Sequence, residues 1–245
     1  LPQRKYARLF AKLQPVTLNP RHIVAEQGMP VRYVYFPTTA MISLLSMSDD
    51  REKGVGVSAI GDEGMLGLTV FLGDGVAPGR DIVQLAGGAL RVEAKIFKEA
   101  VGQGEPLSNI LRRYAQVQFK AITCSVFCSR FHKVDARLAQ WLLMTHDKAR
   151  SDTFPLTQEF AASLLGLHRP AATVVAHKLQ ASALIRYSRG QITILSRQGL
   201  EALTCKCYAH IKSEYARLPT IYFPPSVSCR STSSFNSWRT LLGLK

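Results

Sequence analysis

The stretch Leu156 to Gln180, LTQEFAASLLGLHRPAATVVAHKLQ, limits the possible folds more than any other part of the chain. Gly166 interrupts an apolar pattern of helical period. Ala162 stands four residues before it, and Ala172 and Val175 stand six and nine residues after it. A small residue lets two helices approach closely, a glycine makes the turn at positive φ, and aliphatic residues lock the second helix onto the first. Thr157 is a natural N-cap for the first helix, whose apolar face is Phe160, Leu164 and Leu165. Pro170 falls in the first turn of the second helix, where no intrahelical N–H bond is lost. The spacing predicts a helix-turn-helix.

The second helix has two faces. Ala172, Val175, Ala176 and Leu179 point inward, whereas Arg169, Thr173, His177 and Gln180 share the outward side. An Arg at the start of such a helix suits major-groove reading, because a bidentate contact to guanine discriminates by ~1–3 kcal/mol. The expected base-reading residues are His168, Arg169, Thr173, Val174 and His177, with Val174 against a thymine methyl. Downstream, LIRYSRGQITIL (Leu184 to Leu195) reads as a hairpin whose tip is Ser188-Arg189-Gly190-Gln191. It makes a basic wing. Thr157, Arg186 and Arg189 are the expected phosphate contacts, which position a protein without reading sequence.

Charge agrees with a polyanionic partner. The 245 residues carry 31 Lys+Arg against 17 Asp+Glu, a net +14. Residues 1–150 and 151–245 each hold +7, so the C-terminal part is the more densely positive. No apolar run is long enough for a membrane span, and residues 1–15 lack the apolar core of a signal peptide. The chain starts without Met, which reads as trimming or a fragment. Cys124, Cys128, Cys205, Cys207 and Cys229 contain no C-x-x-C pair, so a reducing cytoplasm is expected, with no disulfide framework and no metal site. No H-E-x-x-H, G-x-S-x-G or P-loop is present, and enzyme activity is not expected. The serine-rich segment Ser226 to Ser237 reads as disordered.

Upstream, Val31 to Phe36, Ala40 to Met47, Val55 to Ile60, Ile82 to Leu85 and Ala89 to Ile96 read as short strands between Gly/Pro turns, a sandwich or jelly-roll pattern. From Leu107 an unbroken heptad seam follows: Leu107, Ile110, Tyr114, Val117, Ala121, Cys124 and Cys128. A second stripe, Leu111, Ala115, Phe119, Ile122 and Val126, faces elsewhere. We assign the seam to a two-fold related copy and the second stripe to the chain's own β-domain.

Taken together, FPLTQEFAASLLGLHRP, LIRYSRGQITIL and the preceding RLAQWLL (Arg137 to Leu143) resemble the Crp/Fnr family of bacterial transcription regulators over roughly residues 15–217. The resemblance implies an α+β chain: an N-terminal cyclic-nucleotide-type β-roll (1–104), a long dimerisation helix (105–133), a winged helix-turn-helix (134–204), then a C-terminal helix and tail (205–245). It implies a homodimer on a palindromic operator in double-stranded DNA, with RNA polymerase a further partner. Nucleotide-binding members carry Gly-Glu-Leu-Gly and then an Arg-Ser or Arg-Thr pair. Here Gly64-Met65-Leu66-Gly67 and Arg80-Asp81 stand instead, and Ile122-Thr123 replaces two hydroxyl residues on the long helix. Asp81 would repel a cyclic phosphate. Gly64, Met65, Gly67, Arg80, Asp81, Ile122 and Thr123 are therefore expected to form a degenerate effector pocket. Cyclic AMP is not expected there, the effector is unknown, and no cofactor is implied. The alternative function is a ligand- or partner-sensing β-roll without specific DNA binding.

Overall fold

Burial, more than alternation, organises the N-terminal half of the computed structural model, which describes residues 7–50, 53–102 and 105–218. After α1 (Ala7–Lys12) come β1 (Gln14–Leu18), β2 (Ile23–Ala25), β3 (Tyr33–Pro37), β4 (Met41–Met47) and β5 (Gly54–Ile60). Then follow α2 (Leu68–Leu72), β6 (Arg80–Leu85), β7 (Gly87–Glu93) and α3 (Ala94–Gly102). The strands form two antiparallel sheets, ordered β1-β7-β3 and β2-β6-β4-β5. Leu18, Ala40, Ile42, Ile60, Leu66, Val83 and Ala89 form one core cluster, drawing on both sheets. This is the expected β-roll. β4 is buried at Met41, Ile42, Ser43 and Leu45, and the buried Ser43 hydroxyl is satisfied by donating to Gln84 Oε1 at 2.6 Å.

Three sequence boundaries change. The strand expected over Ala89 to Ile96 stops at Glu93, and α3 starts at Ala94 with Phe97 and Ala100 buried at helical spacing. The edge strands β1 and β2 were not expected. A short strand over Thr153–Pro155 was not expected either.

The long helix α4 (Glu105–Phe131) leads through His132 and Lys133 into α5 (Val134–Ala149). Next come β8 (Thr153–Pro155), α6 (Gln158–Leu165), α7 (Arg169–Ala181), β9 (Ile185–Ser188), β10 (Gln191–Ile194), α8 (Arg197–Leu203) and α9 (Cys207–Ala216). The strands β8, β10 and β9 make a small antiparallel sheet. One core joins Met41, Ala59 and Leu85 of the β-roll to Leu138, Trp141, Leu142, Leu143, Leu164 and Leu179. The contact is close. A Cβ on Gly56 of β5 would lie 2.6 Å from the Trp141 ring and 3.0 Å from the Leu164 carbonyl oxygen. A side chain there would push α5 and α6 off the sheet.

The dimer seam expected from the sequence must be corrected. Leu107, Tyr114, Val117, Ala121 and Cys128 are buried within their own chain, and Ile110 and Cys124 are half-buried. Leu107, Leu111 and Tyr114 pack in the core with Val34, Phe36 and Phe97, and Lys120 of α4 bonds Glu214 of α9 at 2.7 Å. The exposed apolar side lies on the second stripe: Phe119 is 69% exposed and Val126 62%, and Phe127 and Phe131 are also open. A heptad repeat reports that a stripe is apolar, and both stripes were. Among the described residues no helix is long and apolar enough to cross a membrane. Residues 219–245, including the serine-rich tail and Cys229, lie outside the described residues.

Candidate nucleic-acid interface

The helix-turn-helix forms as the spacing predicts. The Thr157 side chain accepts from the Phe160 N–H at 3.2 Å, capping α6. Gly166 ends it at φ 65°, and the Leu167 N–H reaches back to the Ala162 carbonyl at 2.9 Å. Arg137 on α5 donates to the Leu165 carbonyl at 2.6 Å, supplying a cation at the C-terminus of α6. These bonds set the angle at which α7 leaves the turn. Pro170 sits in its first turn, and the Ala172, Ala176 and Leu179 side chains are buried beneath it.

On the opposite side, His168, Arg169, Val174 and His177 are exposed. Val174 is a large apolar residue at 69% exposure in mid-helix, an arrangement that water disfavours and a methyl group in a groove would relieve. Thr173 differs from the expectation. It is only half-exposed, its hydroxyl donates to Gln158 Oε1 at 2.9 Å, and it lies 2.9 Å from the Arg169 carbonyl. It ties α7 to α6 more than it faces outward. Thr157 is likewise occupied as a cap and half-buried.

The wing is a two-residue hairpin with Ser188 paired to Gln191. Arg189 and Gly190 take φ values of 50° and 77°, as a type I′ turn demands. Asn or Asp would fit the Arg189 position with less strain. Arg186 and Arg189 are exposed. Among the described residues, Arg169, Arg186 and Arg189 have no carboxylate partner, unlike Lys178 and Arg197. Lys178 bonds Asp135 on α5 at 2.6 Å and holds that carboxyl below the usual range. Arg197 is 2.7 Å from Asp147 and from the Tyr208 hydroxyl. Burial pushes the Asp147 carboxyl up, but the Tyr208 and Arg197 hydrogen bonds outweigh it and hold it low. Lys178 and Arg197 fasten helices; the three free arginines face solvent.

Most of the residues expected to line an effector pocket are buried or engaged within their own chain. Met65 is buried, and its N–H and C=O both bond the Tyr114 hydroxyl, at 3.1 and 2.9 Å. Gln118 Nε2 donates to that hydroxyl at 2.6 Å, and Ser58 donates to Gln118 Oε1 at 3.0 Å. A Cβ on Gly64 would strike the Tyr114 ring, and Gly67 caps α2 at φ 91°. Arg80 is held by Glu26 at 3.0 Å. Asp81 is buried, which pushes its carboxyl up to about 7. Ile122 is half-buried, and Thr123 is exposed with its hydroxyl on the Lys120 carbonyl. Sequence reasoning missed Tyr114, which it placed in the dimer seam. A lone Tyr in an apolar stripe was the available signal, since a buried phenol needs a partner.

Residues 136–203 match the Crp-like helix-turn-helix domain family. The chain carries that domain on a Crp/Fnr-type fold. A transcriptional regulator of the Crp/Fnr family from Eubacterium rectale has a similar structure, with TM-score 0.68 and 19% identity, covering 83% of this chain and 94% of that one. FixK2 from Bradyrhizobium japonicum superposes with TM-score 0.64 at 14% identity over 79% of this chain and 98% of its own. CLP from Xanthomonas campestris, a global regulator responsive to c-di-GMP, gives TM-score 0.61 at 15% identity over 79% and 99%. The curated proteins contain no match to the sequence. The matching family is a DNA-binding domain, consistent with the expectation that the chain is not an enzyme.

Proposed function

We propose that the chain is a cytoplasmic, homodimeric transcription regulator that reads a palindromic operator through α7 of its Crp-like domain. The observation that carries the reading is the outward side of α7: His168, Arg169, Val174 and His177 are exposed, and the free Arg186 and Arg189 sit on the adjacent wing. The first turn of α7 contains no acidic residue, which leaves its N-terminus open to a phosphate. His168, Arg169, Val174 and His177 then read base edges, while Arg186 and Arg189 hold backbone phosphates. Thr157 and Thr173 position the helices. In a two-fold dimer the two α7 helices enter major grooves about one helical turn apart, about 34–36 Å. Selection of bound duplexes from a randomised pool tests this. An inverted repeat should emerge; recovery of unrelated sequences would refute it.

For the dimer, we place the contact on Phe119, Val126 and the half-buried Ile122 of α4, because they share the second stripe, where Phe119 and Val126 stand exposed. Phe119→Glu should convert the dimer to a folded monomer in sedimentation velocity, and a variant still sedimenting as a dimer would contradict the assignment. Val117→Glu should instead unfold the chain, because Val117 is buried in its own core.

The β-roll acts, on this reading, without cyclic AMP. The Ser58–Gln118–Tyr114–Met65 chain of hydrogen bonds joins the Gly64–Gly67 turn directly to α4. A ligand is not needed to make that connection.

A further inference from the structure

The cysteines of the chain carry no role in the reading above, yet the fold gathers three of them with a histidine. Cys128 lies in the last turn of α4, and the His132 N–H continues the helical ladder to the Cys128 carbonyl at 3.1 Å. The two side chains are four residues apart and so project to one side. Cys207 opens α9, and Cys205 stands two residues before it. One potential ligand atom from each of Cys128, His132, Cys205 and Cys207 lies within 4.8 Å of all the others. Cys128 Sγ is 3.7 Å from Cys205 Sγ, and His132 Nδ1 is 3.3 Å from Cys128 Sγ. Tetrahedral zinc with Zn–S near 2.3 Å sets sulfurs about 3.8 Å apart. Separations on this scale suit a single ion of that class.

We propose that Cys128, His132, Cys205 and Cys207 form a Cys3His site for one soft divalent ion, zinc by ligand type. On binding, the three thiols lose their protons to solvent as three sulfur–metal bonds form, and His132 gives the lone pair of a ring nitrogen. Gln140 of α5 is the outer partner. Its Oε1 is 3.6 Å from Cys128 Sγ and 3.4 Å from Cys205 Sγ, where it receives thiol protons. Turned about its amide, it offers N–H donors to thiolates instead. The ligands come from two chain segments, one at the end of the long helix and one just past the Crp-like domain. The ion fastens that domain's C-terminal boundary to α4, beside the junction through which α4 enters α5. A disulfide between Cys128 and Cys205 would use only two of the four groups and leave the histidine and Cys207 unexplained.

The full chain, purified under reducing conditions with zinc supplied, should contain one zinc per chain by elemental analysis. Cobalt(II) added to the stripped protein should give thiolate-to-metal charge-transfer bands and intense tetrahedral d–d bands. Cys205→Ser and Cys207→Ser should weaken zinc binding by more than the roughly 10–100-fold that loss of an outer partner costs, and Gln140→Leu should fall within that range. Cys124→Ser should leave affinity unchanged. Substoichiometric zinc together with featureless cobalt spectra in the unaltered chain would overturn the site, and so would wild-type affinity in both cysteine variants. A Cys128–Cys205 disulfide in place of bound metal, found by non-reducing mass analysis, would overturn it too.

Discussion

Arg169→Ala should erase most of the distinction between operator and random DNA. A bidentate guanine contact is worth about 1–3 kcal/mol, and a dimer makes two, so the loss is about 2–6 kcal/mol, or roughly 30-fold to 10⁴-fold in the specificity ratio. Three observations place the effect on this residue. Arg169 opens α7, it is exposed, and no carboxylate competes for it among the described residues. Its neighbour Thr173 cannot take over, since Gln158 and the Arg169 carbonyl already engage its hydroxyl. Arg186→Ala and Arg189→Ala should behave differently. Each should weaken binding to every sequence alike and reduce the salt slope by about two phosphate contacts, one per protomer. Competition titrations of the three variants against specific and random duplexes separate the two classes. An unchanged specificity ratio in Arg169→Ala would show that another face of the domain reads the bases.

Asp81→Asn should remove a large pH dependence from folding stability. Burial raises the Asp81 carboxyl from 3.8 to about 7. A folded acid with a raised pKa holds its proton more tightly than the unfolded chain does. Its contribution is therefore complete below pH about 4, declines between about 4 and 7, and is gone above 7. About three pKa units correspond to about 4 kcal/mol as an order of magnitude. Above pH 7 the buried carboxylate is a standing cost in the wild type, and the uncharged amide avoids it. Denaturant midpoints from pH 4 to 8 should fall in the wild type and stay nearly level in the variant. Parallel profiles would mean that Asp81 is solvated in the folded chain.

Local chemistry made the Crp-like domain legible. Gly166 at φ 65°, the Thr157 cap and the Arg189-Gly190 turn each follow from residues a few positions apart. The edge strands were not legible for the same reason in reverse. β1 contains Pro15 and buries only Leu18 well, and β2 and β8 have three residues each, too few to show an alternation. The partner of each stripe on α4 was out of reach, because periodicity marks an apolar face without saying what covers it. Only the fold shows that Tyr114 turns inward to Met65 while Phe119 stays open. The same limit hid the cysteine cluster. Cys128 and His132 are one helical turn apart, and Cys205 and Cys207 are two residues apart, but the pairs are separated by the whole Crp-like domain. Motif spacing in the sequence alone argued against a metal site. The total charge was misleading in part: Lys178 and Arg197 count toward +14, yet both are used within the domain.

The most direct test of DNA reading by α7 is a salt titration of the wild-type chain on the selected inverted repeat and on a scrambled duplex. Affinity for both should fall steeply with salt, with a log–log slope of about −0.9 per phosphate contacted. The repeat should bind at least about 10³-fold more tightly throughout. Equal affinity for the two duplexes, with a slope no steeper than that of an unrelated basic protein, would contradict specific DNA binding.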